Sequence, residues 1–241
     1  MAGKSAKDTL ILVDQFNISS FLDSADLSRT RSALGTTTFS QDSKTFILDV
    51  KDASMTFSGL ADTLPTGINK IMDDRHGSAS VLVTYAVEDA HGAYAYLIDA
   101  AEADIGNESS ISGLLRISGT FQAQQDGGDS GVIIFPVTID TATANGAVHD
   151  RGVGNTTSAG NVAHLHVTAA SGTTPTLDVL IQMDTNAAFT SPTTLVTFTQ
   201  AVAATSQRVE NTTSTERYIR ISYTIAGTTP AFTFAVSWAP R

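Results

Sequence analysis

Apolar and polar residues alternate with a period of two along most of this 241-residue chain. That is the pattern of strands which bury one face and wet the other. Leu177, Val179, Ile181 and Met183 fall on one side, Asp178, Gln182 and Asp184 on the other, and Leu180 is the exception. Ile219, Ile221, Tyr223 and Ile225 alternate with Arg220, Ser222 and Thr224, and Phe232, Phe234, Val236 and Trp238 with Thr233, Ala235 and Ser237. Further strands are predicted over 133–139, 162–169, 195–199 and 207–210, with Pro136 placing the first of these at a sheet edge. Upstream, strands are predicted over 9–13, 25–34, 44–50, 53–60, 80–87, 93–98 and 111–123. The break in this rhythm is 65–75, where Ile68, Ile71 and Met72 recur at helical spacing, Thr63 can cap and Gly77 can close the end.

An internal echo punctuates the second half. Ala170-Ser171-Gly172-Thr173-Thr174-Pro175 and Ile225-Ala226-Gly227-Thr228-Thr229-Pro230 each sit between two alternating runs. Gly tolerates positive φ and Pro needs no N–H, so both read as hairpin loops, set side by side at one end of a β-sandwich. The predicted fold is mainly β, with a sandwich or barrel carrying one short helix in the first part. An Ig-like or jelly-roll-like sandwich follows in the second.

Charge divides the chain more sharply than hydropathy does. Up to Val132 there are 18 acids and 9 bases, and from Ile133 onward 6 and 5, so the net −10 is almost wholly N-terminal. With the Gly- and Asp-rich stretch 125–131 as a hinge, the expected domains are 1–130 and 131–241. Such an acidic balance disfavours gripping nucleic acid, which needs Lys and Arg. The absence of cysteine removes disulfides, zinc–thiolate sites and thiol nucleophiles. Residues 1–8 form a polar arm with no apolar signal core, and no apolar run approaches a membrane span, so no membrane role is expected.

No catalytic constellation is apparent, and neither an enzyme nor a cofactor is predicted. His164 and His166, two apart on one strand face, could ligate a metal, but no third ligand stands nearby and a wet strand face explains them. Asp126, Asp129 and Ser130 lack the spacing of a calcium loop. Tyr94 and Tyr96 share a face that could stack a sugar, although a packed face is the simpler account.

One resemblance organises these observations. The run from Phe16 to Ser28, with Asn17-Ile18-Ser19 leading into a long strand, resembles the opening of tail tube proteins of long-tailed bacteriophages. Thr36-Thr37-Thr38-Phe39, Lys44-Thr45-Phe46 and the stretch Val50 to Gly59 are similar to their next segment, with Asp49-Val50 where Gly-Leu is commoner. The helix, the strand through Gly119-Thr120-Phe121 and a C-terminal module with Gly-Thr-Thr-Pro turns also fit. The resemblance implies a structural virion protein: a major tail tube subunit forming stacked, hexameric rings around a DNA channel. It implies self-assembly and contact with tape measure, terminator and distal tail proteins. It also implies synthesis in the host cytoplasm, residence in the virion tail, and genome ejection through the tube without specific DNA binding.

Asp49, Asp52, Glu88, Asp89, Glu102 and Asp104 are the candidate channel-lining acids. The loop Gly35, Thr36, Thr37, Thr38, Phe39, Ser40, Gln41, Asp42 and Ser43 is the candidate inter-ring contact. Residues 131–241 would decorate the tube and touch the host surface weakly. The alternatives are a head decoration or other tail-associated structural protein and, from a different class, a carbohydrate-binding module.

Overall fold

Alternation becomes strand almost throughout. The computed structural model describes residues 6–37, 43–62, 64, 66–109, 113–124, 127–152 and 160–241, without the side chains of 48–50. In chain order the strands are β1 (Leu10–Val13), β2 (Phe16–Asn17), β3 (Leu22–Gly35) and β4 (Phe46–Leu60), then helix α1 (Ile68–Asp73). They continue as β5 (Val81–Ala86), β6 (Tyr94–Glu108), β7 (Arg116–Ala123) and β8 (Asp129–Asp140). The last are β9 (Ala144–Asn145), β10 (His149–Asp150), β11 (Asn161–Asp184), β12 (Thr193–Thr197), β13 (Thr205–Asn211) and β14 (Tyr218–Pro240).

Two compact units emerge, and their division differs from a single cut at 130/131. Residues 1–20 and 82–97 group with 129–241, while 21–81 and 98–128 form the other unit. The reason is pairing. β1 pairs with β5, and residues 94–97 of β6 pair with β8. Leu10, Leu12, Ala86, Ala95 and Leu97 share one apolar cluster with Ile133, Val162, Ala235 and Ala239.

The larger unit is a sandwich built by folding a ribbon over itself. Residues 161–171 of β11 pair with 231–240 of β14, and 176–184 pair with 218–226. The first pair is extended by β13 and β8, the second by β12, β9 and β10. Tyr223 and Phe234 lie in opposite halves of β14, about 36 Å apart along a straight strand. Their ring centroids are nevertheless 5.3 Å apart. The strand therefore doubles back, and Leu165, Val167, Phe234 and Val236 meet Leu177, Val179, Ile221 and Tyr223 in one core.

The Gly-Thr-Thr-Pro segments are these bends, which corrects the hairpin expectation. They do lie side by side, with Thr173 opposite Thr228. The strands flanking each segment do not pair with one another. Each bend carries its chain from one layer to the other, a corner of the kind that lets strands switch sheets. Gly172 and Gly227 have φ of 111° and 126°, and Thr174 and Thr229 lie in the left-handed region at 47° and 49°. Residues 132–140 of β8 pair with β14, whereas β6 pairs only with 129–132, so among the described residues Pro136 lies on a stretch bonded to one neighbour. Pro136 and Val137 together oppose Ala235, a bulge where no ladder N–H is required.

In the smaller unit the antiparallel order is β3–β4–β7–β6. The predicted strands 44–50 and 53–60 are one continuous β4. The predicted strand from 111 begins at Arg116, and residues 110–112 lie outside the description. Met55, Phe57, Ile117 and Phe121 are buried, with the Phe57 and Phe121 rings stacked at 5.4 Å. Helix α1 is shorter than 65–75 and buries Ile68, Ile71 and Met72; its N-cap is Gly67, without a side-chain cap. The expected cap Thr63 lies outside the described residues.

Candidate assembly surface

The registers of the smaller unit sort its side chains onto two unlike faces. Side chains directly opposite across a ladder point to the same side. Ser24, Asp26, Ser28 and Thr30 of β3 stand opposite Ser58, Thr56, Ser54 and Asp52 of β4. Ser54, Thr56 and Ser58 in turn stand opposite Gln122, Thr120 and Ser118 of β7, and Thr120 and Ser118 opposite Asp104 and Gly106 of β6. One face across four strands is thus hydroxyl, amide and carboxylate, with no Lys or Arg among these positions. Asp52, Asp104, Asp26 and Thr56 are exposed, and Gln122 Nε2 donates to Asp52 at 2.6 Å. Arg116 closes one end of this face through Asp23 at 2.5 Å. The hydrogen bond from Arg116 is the largest influence holding the Asp23 carboxyl below its ordinary pKa.

Two of the six candidate acids, Asp52 and Asp104, share that face. Asp49 lies on β4 with its side chain outside the description. Glu88 and Asp89 lie in the turn between β5 and β6, in the other unit. There the Val137 N–H donates to the Asp89 carboxylate at 2.9 Å, and partial burial raises its pKa. Glu102 is a correction. A bulge at Ala103 separates it from Asp104, and it stands opposite Phe121, 4% exposed, with neither carboxylate oxygen hydrogen-bonded. Burial raises its pKa to about 7, against the pull of Arg75 and with the push of Asp73. Sequence reasoning missed Asp26, although the alternating Ser24, Asp26, Ser28, Thr30 is itself a readable one-sided polar row.

Buried Glu102 carries its own prediction. Its folded pKa lies above the unfolded value, so its cost is absent below about pH 4.5 and complete above about pH 7. Glu102→Gln is expected to raise stability by up to about 3 kcal/mol at pH 8 and to change little at pH 4.5, as each unit of the rise to about 7 is worth about 1.4 kcal/mol. Urea denaturation at the two pH values checks this.

The margins of the same unit are open. Among the described residues β3 pairs only with β4, and none of its 14 residues is buried. An edge strand of this kind is a template for another chain. At one end of β4, Leu34 pairs with Ile47 and Gly35 with Phe46, and Leu34, Phe46 and Ile47 are 52–60% exposed. At the other end Leu60, Leu64, Leu114 and Leu115 are 39–70% exposed. Contiguous apolar residues on a surface mark interaction sites. Of the candidate loop, Gly35, Thr36, Thr37 and Ser43 are exposed, with Thr36 Oγ1 bonded to Thr45 at 3.0 Å. Thr38, Phe39, Ser40, Gln41 and Asp42 lie outside the described residues.

The remaining candidates fall in the larger unit. His164 and His166 are buried, not on a wet face, because β1 and β5 cover the outer side of β11. Among the described residues no three His, Asp or Glu side chains group to hold a metal, and no helix is long and apolar enough to cross a membrane. Asp129 takes part in an ion pair with Arg241 at 3.1 Å, and Asp126 lies outside the described residues. Tyr94 and Tyr96 meet edge to face at 85°, not as a flat stacking platform.

No family model and no curated protein matches the chain. Among solved structures, a chain of the native gene transfer agent virion is similar at TM-score 0.42 and 12% identity, over 51% of this chain and 95% of that one. The SPP1 Dit protein is similar at TM-score 0.39 and 10% identity, over 97% and 99%. A chain of the phage p2 baseplate in its activated conformation is similar at 0.36 and 11%, over 95% and 97%. These scores are too low to assign a family or a role.

Proposed function

We propose that this chain is a structural subunit of a bacteriophage tail that associates with copies of itself, closing rings through the open sheet of its smaller unit and stacking them into a tube. The observation that carries this reading is the polar sheet face from Ser24 to Asp104. Its carboxylates repel phosphate, and without Lys or Arg among these positions the neutral hydroxyls and amide give DNA no counterion-releasing grip, as a channel wall requires. The sequence resemblance to tail tube proteins, the unpaired margin of β3, and apolar clusters at opposite ends of β4 support it. An interface joining unlike patches is head to tail, which generates rings where the rotation closes and filaments where it does not.

On this reading Asp26, Asp52 and Asp104 line the channel, and the strand pair ending at Leu34 and Phe46 reaches the adjacent ring. The partners are further copies, the proteins at the two tube ends and the tape measure, with DNA passing unbound. Residues 131–241 offer a weak host contact, which ring symmetry multiplies by avidity.

Sedimentation and negative-stain microscopy of the purified protein test the proposal. Rings and tubes are expected, and Phe46→Asp with Ile47→Asp is expected to leave rings that do not stack. A monomer at every concentration overturns the proposal. In assembled phage, Asp52→Lys with Asp104→Lys is expected to slow ejection while leaving tube length unchanged; normal ejection removes the acidic-wall role.

A further inference from the structure

One polar chain is sealed inside the larger unit. His164 and His166 of β11 are 0% and 1% exposed, and Thr84 of β5 and Ser237 of β14 are equally enclosed. Thr84 Oγ1 lies 3.2 Å from His164 Nδ1, 2.8 Å from His166 Nε2 and 3.3 Å from Ser237 Oγ. His166 Nδ1 lies 2.5 Å from the Asp14 carbonyl oxygen, in the turn between β1 and β2.

These contacts fix the protons. A carbonyl only accepts, so His166 Nδ1–H donates to Asp14, and its Nε2 is left to accept from the Thr84 hydroxyl. Thr84 has then spent its proton, so His164 Nδ1–H and the Ser237 hydroxyl donate to its oxygen. His164 Nε2 is left as a bare acceptor, buried and without a partner. Apart from that nitrogen the arrangement is satisfied, and only while both imidazoles are neutral does it bury no charge. A proton on His166 Nε2 opposes the Thr84 hydroxyl, and one on His164 Nε2 buries a charge with no acceptor.

We propose that this relay is an acid-sensitive latch, which holds the β1–β2 segment and β5 against β11 at neutral pH and releases them when the two histidines take up protons.

The charged groups around the latch do not remove that sensitivity. Burial foremost, then His166 and then Arg208 of β13, which stands opposite His164, disfavour protonation of His164. Asp14 favours the charged form of His166, through its carbonyl and its charge, yet burial prevails and the pKa falls to about 4. The Asp14 carboxylate accepts from the Leu82 N–H at 2.9 Å and the Ser206 hydroxyl at 3.3 Å. The turn it anchors is therefore tied to β5 and β13 as well as to β11. The sign follows directly. Both imidazoles titrate lower in the closed state than in an open one, near 6.5. The latch is intact above that value, and two protons taken up on opening raise the open-to-closed ratio by up to about a hundredfold per pH unit below it.

Hydrogen exchange of the full-length protein tests this. Between pH 7 and pH 4.5, after correction for intrinsic exchange, the amides of Leu10–Val13 and 82–86 are expected to lose at least a hundredfold of protection, while 218–226 in the opposite layer lose less. His164→Asn with His166→Asn is expected to flatten that pH response, whereas His76→Asn, at an exposed turn, leaves it intact. An acid response that persists in the double variant overturns the latch. Should that variant not fold, imidazole NMR of the wild-type chain decides. Both rings stay neutral until β1 releases if the latch exists, and titration near pH 6.5 within the closed protein refutes it.

Discussion

Replacing Gly172 or Gly227 with Ala is expected to cost about 2–3 kcal/mol at each site, several times the usual effect of a surface substitution. The two bends of the folded ribbon touch reciprocally. A Cβ on Gly172 would stand 2.7 Å from the Thr229 oxygen and 2.9 Å from Pro230 Cα, and one on Gly227 would stand 2.8 Å from the Thr174 oxygen and 3.0 Å from Pro175 Cα. Those neighbours are backbone and have no rotamer by which to yield. Both glycines also hold φ values that an L side chain rarely adopts. Because each bend is the wall of the other, the double variant is expected to depart from additivity, the second substitution costing less once the first has parted the bends. Thr173→Ala, exposed beside the same bend, is expected to stay within about 0.5 kcal/mol. Denaturant unfolding followed by the fluorescence of Trp238, the single tryptophan, reports on this unit directly. A Gly172→Ala protein as stable as wild type would show that the bends do not pack as described.

Phe234→Ala is expected to cost about 3–5 kcal/mol, the range for removing a large aromatic from a core. Phe234 is fully buried, its ring 4.8 Å from Phe135 and 5.3 Å from Tyr223. It therefore joins three strand segments in both layers. Tyr223 is pinned from beyond the core, its hydroxyl donating to Asp140 at 2.9 Å, and burial foremost raises its pKa to about 12. With Tyr223 held in place, the cavity cannot close by a shift of that ring, so the cost belongs near the upper part of the range. Phe234→Leu, which keeps most of the apolar volume, is expected to lose less than half as much. A midpoint shift under about 1 kcal/mol for the alanine variant would contradict the central position given to this ring.

Strand identity was legible because period-two alternation is a local property. Rows such as Ile219, Ile221, Tyr223 and Phe232, Phe234, Val236 bury a face wherever their partners lie. The short helix was visible for the same reason. Strand length was less visible. The expected strands 44–50 and 53–60 leave out Lys51 and Asp52, yet β4 runs through both, which point to opposite faces and are each exposed. The candidate site was partly legible: Asp52 and Asp104 sit together on the polar face, but their shared side depends on registers across β4, β7 and β6. Glu102 is two residues from Asp104 and would share its face in a regular strand. The bulge at Ala103 turns it inward instead, and nothing in the local sequence announces a bulge.

By itself, then, the amino-acid sequence determined which residues alternate, where the acidic half ends and where the chain must bend, since these follow from side-chain chemistry and local backbone preference. Only the tertiary structure decided that the two Gly-Thr-Thr-Pro segments bend between layers rather than within one. It also decided that β1 and β5 belong with the C-terminal strands, and that His164 and His166 are sealed inside. Each of those outcomes depends on which distant strand supplies the hydrogen bonds and covers the second face of a sheet, a choice made by the packing of the whole unit.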